Sequence, residues 1–529
     1  MPQIIDHAPA ALREGEPALS HRERALLAIE KDVRWDPANS LNRIRESVRL
    51  RPDWCISRQR AWGVGIPAVY CESCDEATLD PEVMRKTAAL IREHGSDAWY
   101  ERELASFLPE GFRCSACDAK GPFRRETDIL DVWFDSGCTH RAVRETHPAL
   151  REVWERARTS GGRIAYFEGP DQHRGWFNSS LMIGIGTDDR APYTDVLTHG
   201  WVLDAQGRAM HKSLGNVMSP DEIIKRSGAE IVRWWALAAD WRTDVRIGDE
   251  ILQRVSDAYR KVRNTFRFLL GNLEGFSADD ALPQGRLTAV DRVFASHLTE
   301  RVNLMRRDTE ALLFHRVLDA LLDICTVDLS SVFLDVAKDR LYTLAPDDPT
   351  RRSAQTVLWQ ALHDLVIAAS PALAFTCEEV WQFHPGLTAE CESVHLALWP
   401  ERRADPGAAK EWALLHSVRD AVNAALEPLR ATKALAGTPE AEVTVTVPPA
   451  LSRRLAPYLG ELAGFLIVAE ARVREGREGQ EIEVAVTKTA YPRCERCWTH
   501  RRDVATDGPT AGVCARCTGV LEAATRLRR

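Results

Sequence analysis

Tyr166-Phe-Glu-Gly-Pro-Asp-Gln-His-Arg-Gly-Trp-Phe177 is the stretch that decides the fold. The apolar run Ile164–Phe167 has the length of a strand, and glycine and polar residues follow it at once. In a doubly wound α/β sheet, ligands bind at the carboxyl ends of the strands. A strand ending at Phe167 delivers Glu168, Gly169, Asp171, Gln172 and His173 to that place. Carboxylates and amides there suit ribose hydroxyls or an ammonium group, and Gly169 lets backbone approach a ligand. Read without a ligand, the same residues make a polar strand-to-helix turn capped by Asp171.

Outward from this turn, Val196–Trp201 is a second short apolar run, with helix-like sequence between and after. That alternation predicts an α/β, mostly parallel sheet. Downstream, Gly207-Arg-Ala-Met-His-Lys-Ser-Leu-Gly-Asn216 reads as a loop. Lys212 and Ser213 on it can bring an ammonium to phosphates and reposition during a reaction cycle; the plain alternative is an exposed basic loop. Ser219-Pro-Asp-Glu222 then resembles a capping-box helix start. Upstream lie Asp131-Val-Trp-Phe-Asp-Ser-Gly137, a strand-and-turn stretch at Trp54–Tyr70, and a charged helix at Leu19–Lys31.

Eight of the thirteen cysteines form four Cys-x-x-Cys pairs. Cys494/Cys497 and Cys514/Cys517 are separated by sixteen residues that include Gly508, Pro509 and Gly512, enough for a hairpin to bring two tight turns together. Four thiolates make the closed tetrahedral site that structural zinc prefers; a redox pair or chance is the alternative. Cys71/Cys74 and Cys114/Cys117 have the same form with thirty-nine residues between them, a looser signal for a second zinc. Neither set leaves an open position for catalysis. An odd number of cysteines without a signal peptide points to a reducing compartment.

From Asp249 the texture changes. Ile251, Val255, Val262, Phe266, Leu269 and Leu273 recur at helical spacing, with Arg260, Arg263 and Arg267 on another face. Helical patterns continue at 293–314, 317–336 and 353–375, so 246–435 reads as a helical bundle. Val443–Val447 and Glu481–Val486 alternate as strands around a helix.

At 529 residues the chain exceeds what a single core usually holds, so several domains are expected. With 28% charged and 45% apolar residues it is neither a disordered chain nor one built of membrane spans. Its longest apolar stretch, Val366–Phe375, is broken by Ser370 and Pro371 and far below the ~20 residues that span a bilayer. Residues 1–17 show no basic segment leading into an apolar one, so no secretory signal is read and a cytoplasmic location is expected. A net charge of -8 excludes a generally sticky nucleic-acid binder but leaves room for a local basic face. The segment Arg493–Arg529, with eight arginines against four acids, is a candidate.

These segments, with Arg51-Pro-Asp-Trp-Cys-Ile-Ser-Arg-Gln-Arg-Ala-Trp-Gly63, resemble isoleucyl-tRNA synthetase from about Val33 to Cys517. The run Glu168–Phe177 is similar to the isoleucine version, and the C-terminal cysteine module to the one ending many bacterial isoleucine enzymes. The resemblance implies a partial Rossmann-like class I catalytic half, an α-helical anticodon-binding bundle, a small α+β region and a C-terminal zinc module. The corresponding boundaries are a junction at 1–53, a connective region with a four-cysteine zinc site at 54–130, and the catalytic half at 131–245. The helical anticodon-binding domain follows at 246–435, a linking α+β region at 436–490 and the zinc-binding module at 491–529.

In function, the resemblance implies activation of isoleucine by ATP (with magnesium) and transfer of the acyl group to tRNA(Ile). Glu168, Gly169, Asp171, Gln172 and His173 would hold the aminoacyl-adenylate, and Trp133 and Trp176 would line the amino-acid pocket. Lys212 and Ser213 would act on ATP from the KMSKS loop, and Arg260, Arg263 and Arg267 would face tRNA. The chain departs from the family in two ways. Its KMSKS loop reads Ala209-Met-His-Lys-Ser213, replacing the first lysine and first serine, though His211 adds charge when protonated. Nothing in it matches the HIGH signature or the inserted editing domain, which precede the counterpart of Val33 in this family. The expectation is a chain that starts at a split-gene junction or interrupted frame and works with a separate N-terminal half. The alternatives are a catalytically inactive tRNA-binding fragment or paralogue, and a repurposed ligase-like enzyme.

Overall fold

The computed structural model describes residues 19–51 and 53–527. The segment read for a targeting signal lies outside the described residues, as do Pro52 of the Arg51–Gly63 run and the terminal Arg528 and Arg529. The chain divides into two compact units: Met1–Trp201 with Arg242–Asp244, and Val202–Trp241 with Val245–Arg529.

The first unit opens with the helix His21–Lys31, started by a capping box. The Ser20 hydroxyl accepts from the Glu23 N–H, and the Glu23 carboxylate accepts from the Ser20 N–H at 2.7 Å. Three parallel strands follow in the spatial order Arg34–Asp36, Asp195–Thr198, Ala165–Glu168. All four residues of the middle strand are buried, as a parallel sheet covered on both faces requires. Ile29, Ile44, Phe177, Leu181, Ile185 and Val196 form the core that joins this sheet to the helices His21–Lys31, Ser40–Leu50 and Trp176–Asp188. Burying each such side chain contributes about 1.5–3 kcal/mol. The Arg34–Asp36 strand falls where the sequence reads only as charged helix and weak punctuation. Its single apolar residue, Trp35, is buried and donates its indole N–H to the Ile29 carbonyl at 2.8 Å.

Within residues 54–130 a small antiparallel sheet has Val69–Cys71 between Ala77–Thr78 and Phe123–Arg125. The helix Pro81–His94 is capped by Asp80 and buries Val83 against Val69, Trp99 and Phe107.

The second unit carries the bundle. Its long helices include Asp249–Gly271, Ala289–Glu310, Pro349–Ala369 and Ala408–Ala431. The expected 317–336 helix is divided: Phe314–Asp323 and Leu334–Thr343 flank a π-helical stretch, Ile324–Phe333. There the Ser330 and Ser331 hydroxyls donate to carbonyls five residues back, Cys325 at 2.6 Å and Thr326 at 2.8 Å, which fits the wider turn. Beyond the bundle, Ala441–Val447 is the middle strand of a sheet, parallel to Glu470–Glu475 and antiparallel to Glu483–Lys488. It alternates buried and half-buried residues along its length. Among the described residues, no helix is long and apolar enough to cross a membrane.

Candidate functional site

The strand Ala165–Glu168 ends as the sequence predicts, and a 3-10 turn, Pro170–His173, carries the chain into the helix Trp176–Asp188. Asp171 caps no helix. Its carboxylate accepts instead from the Gln172 amide at 2.8 Å, while the Gln172 carbonyl accepts from the Trp176 N–H at 3.0 Å. The turn is therefore braced by its own side chains, with Asp171 exposed and Glu168 and Gln172 half-buried. Gly169 is a close approach: a Cβ there would lie 2.9 Å from Asp171 Oδ1 and 3.5 Å from the His199 ring.

His173 behaves differently from its neighbours. Its ring turns inward, lies tilted 6.2 Å from Trp35 and edge-on to Phe177, and meets the Pro170 carbonyl at 2.9 Å through Nδ1. Burial holds its imidazole below the usual histidine range. Its Nε2 is buried without a hydrogen-bond partner.

Trp133 and Trp176 both come to this turn. Trp176 stacks on Tyr166 with ring centroids 4.1 Å apart and donates its indole N–H to the Ser136 carbonyl at 3.1 Å. Trp133 stays 43% exposed, and its ring edge would lie 2.9 Å from a Cβ on Gly175. The helix Val132–Gly137 that bears Trp133 is capped by Asp131, whose Oδ1 accepts from the Trp133 N–H. Asp131 Oδ2 also accepts from the Trp54 indole at 3.0 Å and the Arg58 guanidinium at 2.5 Å. Three of the quoted segments, 51–63, 131–137 and 166–177, thus converge in the first unit.

Two residues here escaped the sequence reading. His199, just past the Asp195–Thr198 strand, donates its backbone N–H to the Glu168 carbonyl and sits beside Phe167. Gly200 follows it, and a Cβ there would lie 2.2 Å from the Thr243 carbonyl. The signal available was the His-Gly pair at the end of an apolar run.

The loop bearing Lys212 and Ser213 belongs to the second unit. Both residues are exposed on a short 3-10 turn, Lys212–Leu214, closed by Gly215 in the left-handed region. The loop is pinned at its base. Asp204 accepts from the Asn216 amide at 2.9 Å and from the Arg208 backbone N–H at 2.8 Å and side chain at 2.9 Å. These bonds, Asn216's first, hold the Asp204 carboxyl well below the usual range. Asn216 also donates to the Ala209 carbonyl and accepts from the His211 N–H. The helix after it, Pro220–Ser227, starts on proline at its first turn; the Ser219 hydroxyl makes no capping bond, so the expected capping box is absent.

Both cysteine sets close. Their ligand sulfurs lie within 4.8 Å of one another in each set. Cys71–Cys117 and Cys74–Cys114 are 3.7 and 3.6 Å apart, and Cys497–Cys514 3.9 Å. Sulfurs about 2.3 Å from a tetrahedral zinc would be about 3.8 Å apart, so both sets fit that ion. Burial raises the Cys494 thiol, but N–H groups of Cys497, Cys514 and Arg496 outweigh it and bring it to about 6. Ser73 and Cys74 N–H groups likewise outweigh burial at Cys71 and bring it to about 7. In each set the neighbouring thiols move the other way, Cys74 and Cys514 up to about 12, so one sulfur of each set is favoured as thiolate.

On the bundle, Arg260, Arg263 and Arg267 are all exposed. Arg260 pairs with Asp257 at 2.8 Å and Arg263 lies 3.6 Å from Glu379, so this face carries less unopposed charge than the sequence suggests. In the C-terminal module Trp498 is 69% exposed and in the left-handed region, a conformation bulky residues seldom adopt.

Residues 19–248 match the class I tRNA synthetase family for I, L, M and V, and residues 291–445 match the anticodon-binding domain of tRNA ligases. Isoleucine–tRNA ligase of Desulfovibrio desulfuricans is 42% identical over 520 residues, covering 95% of this chain and 54% of that protein. That of Geobacter sulfurreducens is 42% identical over 517 residues, with the same shares. The chain spans about half the length of the curated relatives it matches. The LeuRS–tRNA–LeuAMS complex of Agrobacterium radiobacter K84 superposes with a TM-score of 0.47 at 21% identity, covering 70% of this chain and 47% of that one. This chain carries a class I tRNA synthetase segment and an anticodon-binding domain, and over nearly its whole length it resembles the C-terminal half of isoleucyl-tRNA synthetase.

Proposed function

We propose that the chain serves isoleucine–tRNA ligation. An isoleucine carboxylate oxygen attacks the α-phosphorus of ATP and displaces pyrophosphate; a terminal ribose hydroxyl of tRNA(Ile) then attacks the acyl carbon and releases AMP. The observation that carries this reading is the braced turn Glu168–Trp176, with Trp133 packed over Gly175 at the carboxyl end of a parallel strand. Glu168, Asp171 and Gln172 offer acceptors for the ammonium and ribose of an adenylate, with the His199 ring beside them. Trp133 and Trp176 bound the side-chain pocket. His173 supports the turn from inside. Lys212 supplies an ammonium to the phosphates, with Ser213 beside it on the loop. Little covalent work falls to side chains, so rate comes from positioning and charge stabilisation.

The proposal extends to the partners. Zinc is bound at Cys71, Cys74, Cys114 and Cys117 and at Cys494, Cys497, Cys514 and Cys517, two ions per chain. Magnesium accompanies ATP, and the exposed arginines with Trp498 face RNA. Five cysteines held as thiols and eight held as zinc ligands suit the cytoplasm.

The test is isoleucine-dependent ATP–pyrophosphate exchange. The 529-residue chain is assayed by itself and with a fragment supplying the remaining length of one of the relatives. Exchange that appears with the fragment and is lost in Lys212→Ala supports the reading. Tight tRNA binding with no exchange under either condition would favour a non-catalytic RNA-binding role instead.

A further inference from the structure

Each knuckle of the C-terminal module carries an arginine just before its second cysteine: Arg496 in Cys494-Glu-Arg-Cys497 and Arg516 in Cys514-Ala-Arg-Cys517. Both reach one place, the last turn of the helix Leu334–Thr343 in the bundle. Arg516 engages Asp339 with both terminal nitrogens, at 2.6 and 2.7 Å, and Thr343 Oγ1 at 3.2 Å. Arg496 Nη1 donates to the Thr343 backbone carbonyl and, from the same nitrogen, to Cys517 Sγ at 3.4 Å. One guanidinium nitrogen therefore bridges a ligand sulfur and an end-of-helix carbonyl, a group that lacks a partner within its own helix and attracts cations.

Two hydrogen bonds join the knuckles, from the Glu495 N–H to the Gly512 carbonyl at 2.9 Å and from the Cys514 N–H to Cys494 Sγ at 3.4 Å, but the module has little apolar core. Its buried apolar cluster consists of three of the ligand cysteines and Val504. The four sulfurs, with these two hydrogen bonds, thus set the spacing between the two arginines, and one helical turn sets the spacing of their receptors. We propose that Arg496 and Arg516 are positioning residues that couple metal binding at Cys494, Cys497, Cys514 and Cys517 to docking of the module on the bundle. This rests on the zinc reading above and not on ligase activity. Linkage makes the coupling reciprocal: metal favours docking by the same factor by which docking favours metal. Groups that hydrogen-bond to metal ligands change metal affinity by about 10–100-fold when removed.

The experiment uses the zinc-loaded full chain, its metal content measured first. Cysteine alkylation is then followed peptide by peptide by mass spectrometry, which separates the two cysteine sets. Arg516→Ala and Asp339→Ala, which touch no ligand sulfur and act through the docking contact, should each speed alkylation of Cys494, Cys497, Cys514 and Cys517 by about tenfold. The double variant should be no faster than either single one, because both remove the same link. Arg516→Lys, which keeps the charge but loses the two-pronged contact, should fall between. Cys71, Cys74, Cys114 and Cys117 should keep their rate. Unchanged alkylation at the C-terminal set, even with a lowered melting temperature, would make the arginines mere fold braces and overturn the coupling. A rise at both sets would mean general unfolding and overturn it too. Absence of zinc from the wild-type chain would overturn this inference and the zinc reading together, whereas failed pyrophosphate exchange leaves it standing.

Discussion

At the scale of single residues, the two tryptophans of the site are set apart by burial. Trp176 is stacked on Tyr166 and tied to Ser136, so it serves the fold as well as any ligand. Trp176→Phe keeps the stack and loses the indole N–H's contacts with the Ser136 carbonyl and Thr139 Oγ1, and should cost about 1 kcal/mol. Trp176→Ala loses the stack as well and should cost about 3 kcal/mol, read by chemical denaturation. Trp133 is 43% exposed, so Trp133→Ala should leave stability nearly unchanged while weakening isoleucine binding, seen as a raised KM in the exchange assay. Equal destabilisation by Trp133→Ala and Trp176→Ala would contradict this division of labour. Gly200 is more severe than either. A methyl there would meet the Thr243 carbonyl at 2.2 Å, and backbone cannot swing aside as a side-chain tip can. Gly200→Ala should cost about 3 kcal/mol, the upper part of the range for overpacking; a neutral result in the same denaturation assay would show that this close approach relaxes freely.

At the scale of elements, the Lys212 loop owes its shape to the hydrogen bonds of Asp204 and Asn216 and to Met210, which packs half-buried against the core, while Lys212 and Ser213 stay exposed. Asn216→Ala should raise hydrogen exchange across 208–216 several-fold and leave the bundle helices unchanged. In the bundle, His384 donates Nε2–H to the Trp359 carbonyl at 2.9 Å, and its burial pushes its pKa down to about 4. An unfolded histidine titrates near 6.5, so the unfolded chain takes up this proton first. The stability held by the neutral ring is complete above pH ~6.5 and declines as pH falls towards 4, by about 3 kcal/mol in all. His384→Gln should flatten the pH dependence of melting across that window, and an unchanged slope would reassign the acid sensitivity to other groups. These elements also mark what the sequence could and could not disclose. Ala165–Glu168 was legible because an apolar run stops abruptly at a polar turn. The cysteine sets were legible because metal geometry imposes local spacing. Arg34–Asp36 was not, because a charged three-residue strand becomes a strand only by pairing with Asp195–Leu197. Glu470–Glu475 was hidden likewise: its register comes from Ala441–Val447, not from its own Glu-Ala-Arg-Val-Arg-Glu pattern. The π-helical stretch has the composition of an ordinary buried helix, and only the five-residue reach of Ser330 and Ser331 reveals it.

At the scale of the whole molecule, charge sets the terms on which RNA can bind. A net charge of -8 repels a polyanion at long range, so any affinity must come from local faces strong enough to overcome it. The second unit offers two: Arg260, Arg263 and Arg267 on the bundle, and the arginines around exposed Trp498 in the C-terminal module. Arg260 and Arg263 already have carboxylate partners, but exposed pairs of this kind are worth only about 0–1 kcal/mol and can be exchanged for phosphate. Each phosphate contact releases counterions and steepens the fall of log K with log salt by about 0.7–0.9. The full chain should therefore bind tRNA(Ile) with a steep salt dependence. Replacing Arg260, Arg263 and Arg267 together by alanine should lower that slope by about 2 and weaken binding most at low salt. Trp498→Ala should act otherwise: stacking on a base carries no counterion term, so affinity should drop by about 1–3 kcal/mol with the slope unchanged. Filter binding or fluorescence anisotropy at several salt concentrations reads both quantities at once. A slope untouched by the triple arginine variant would place the RNA elsewhere on the molecule. Equal affinity for tRNA(Ile) and an unrelated RNA of the same length would reduce the binding to charge alone and remove the recognition role proposed for this half of the chain.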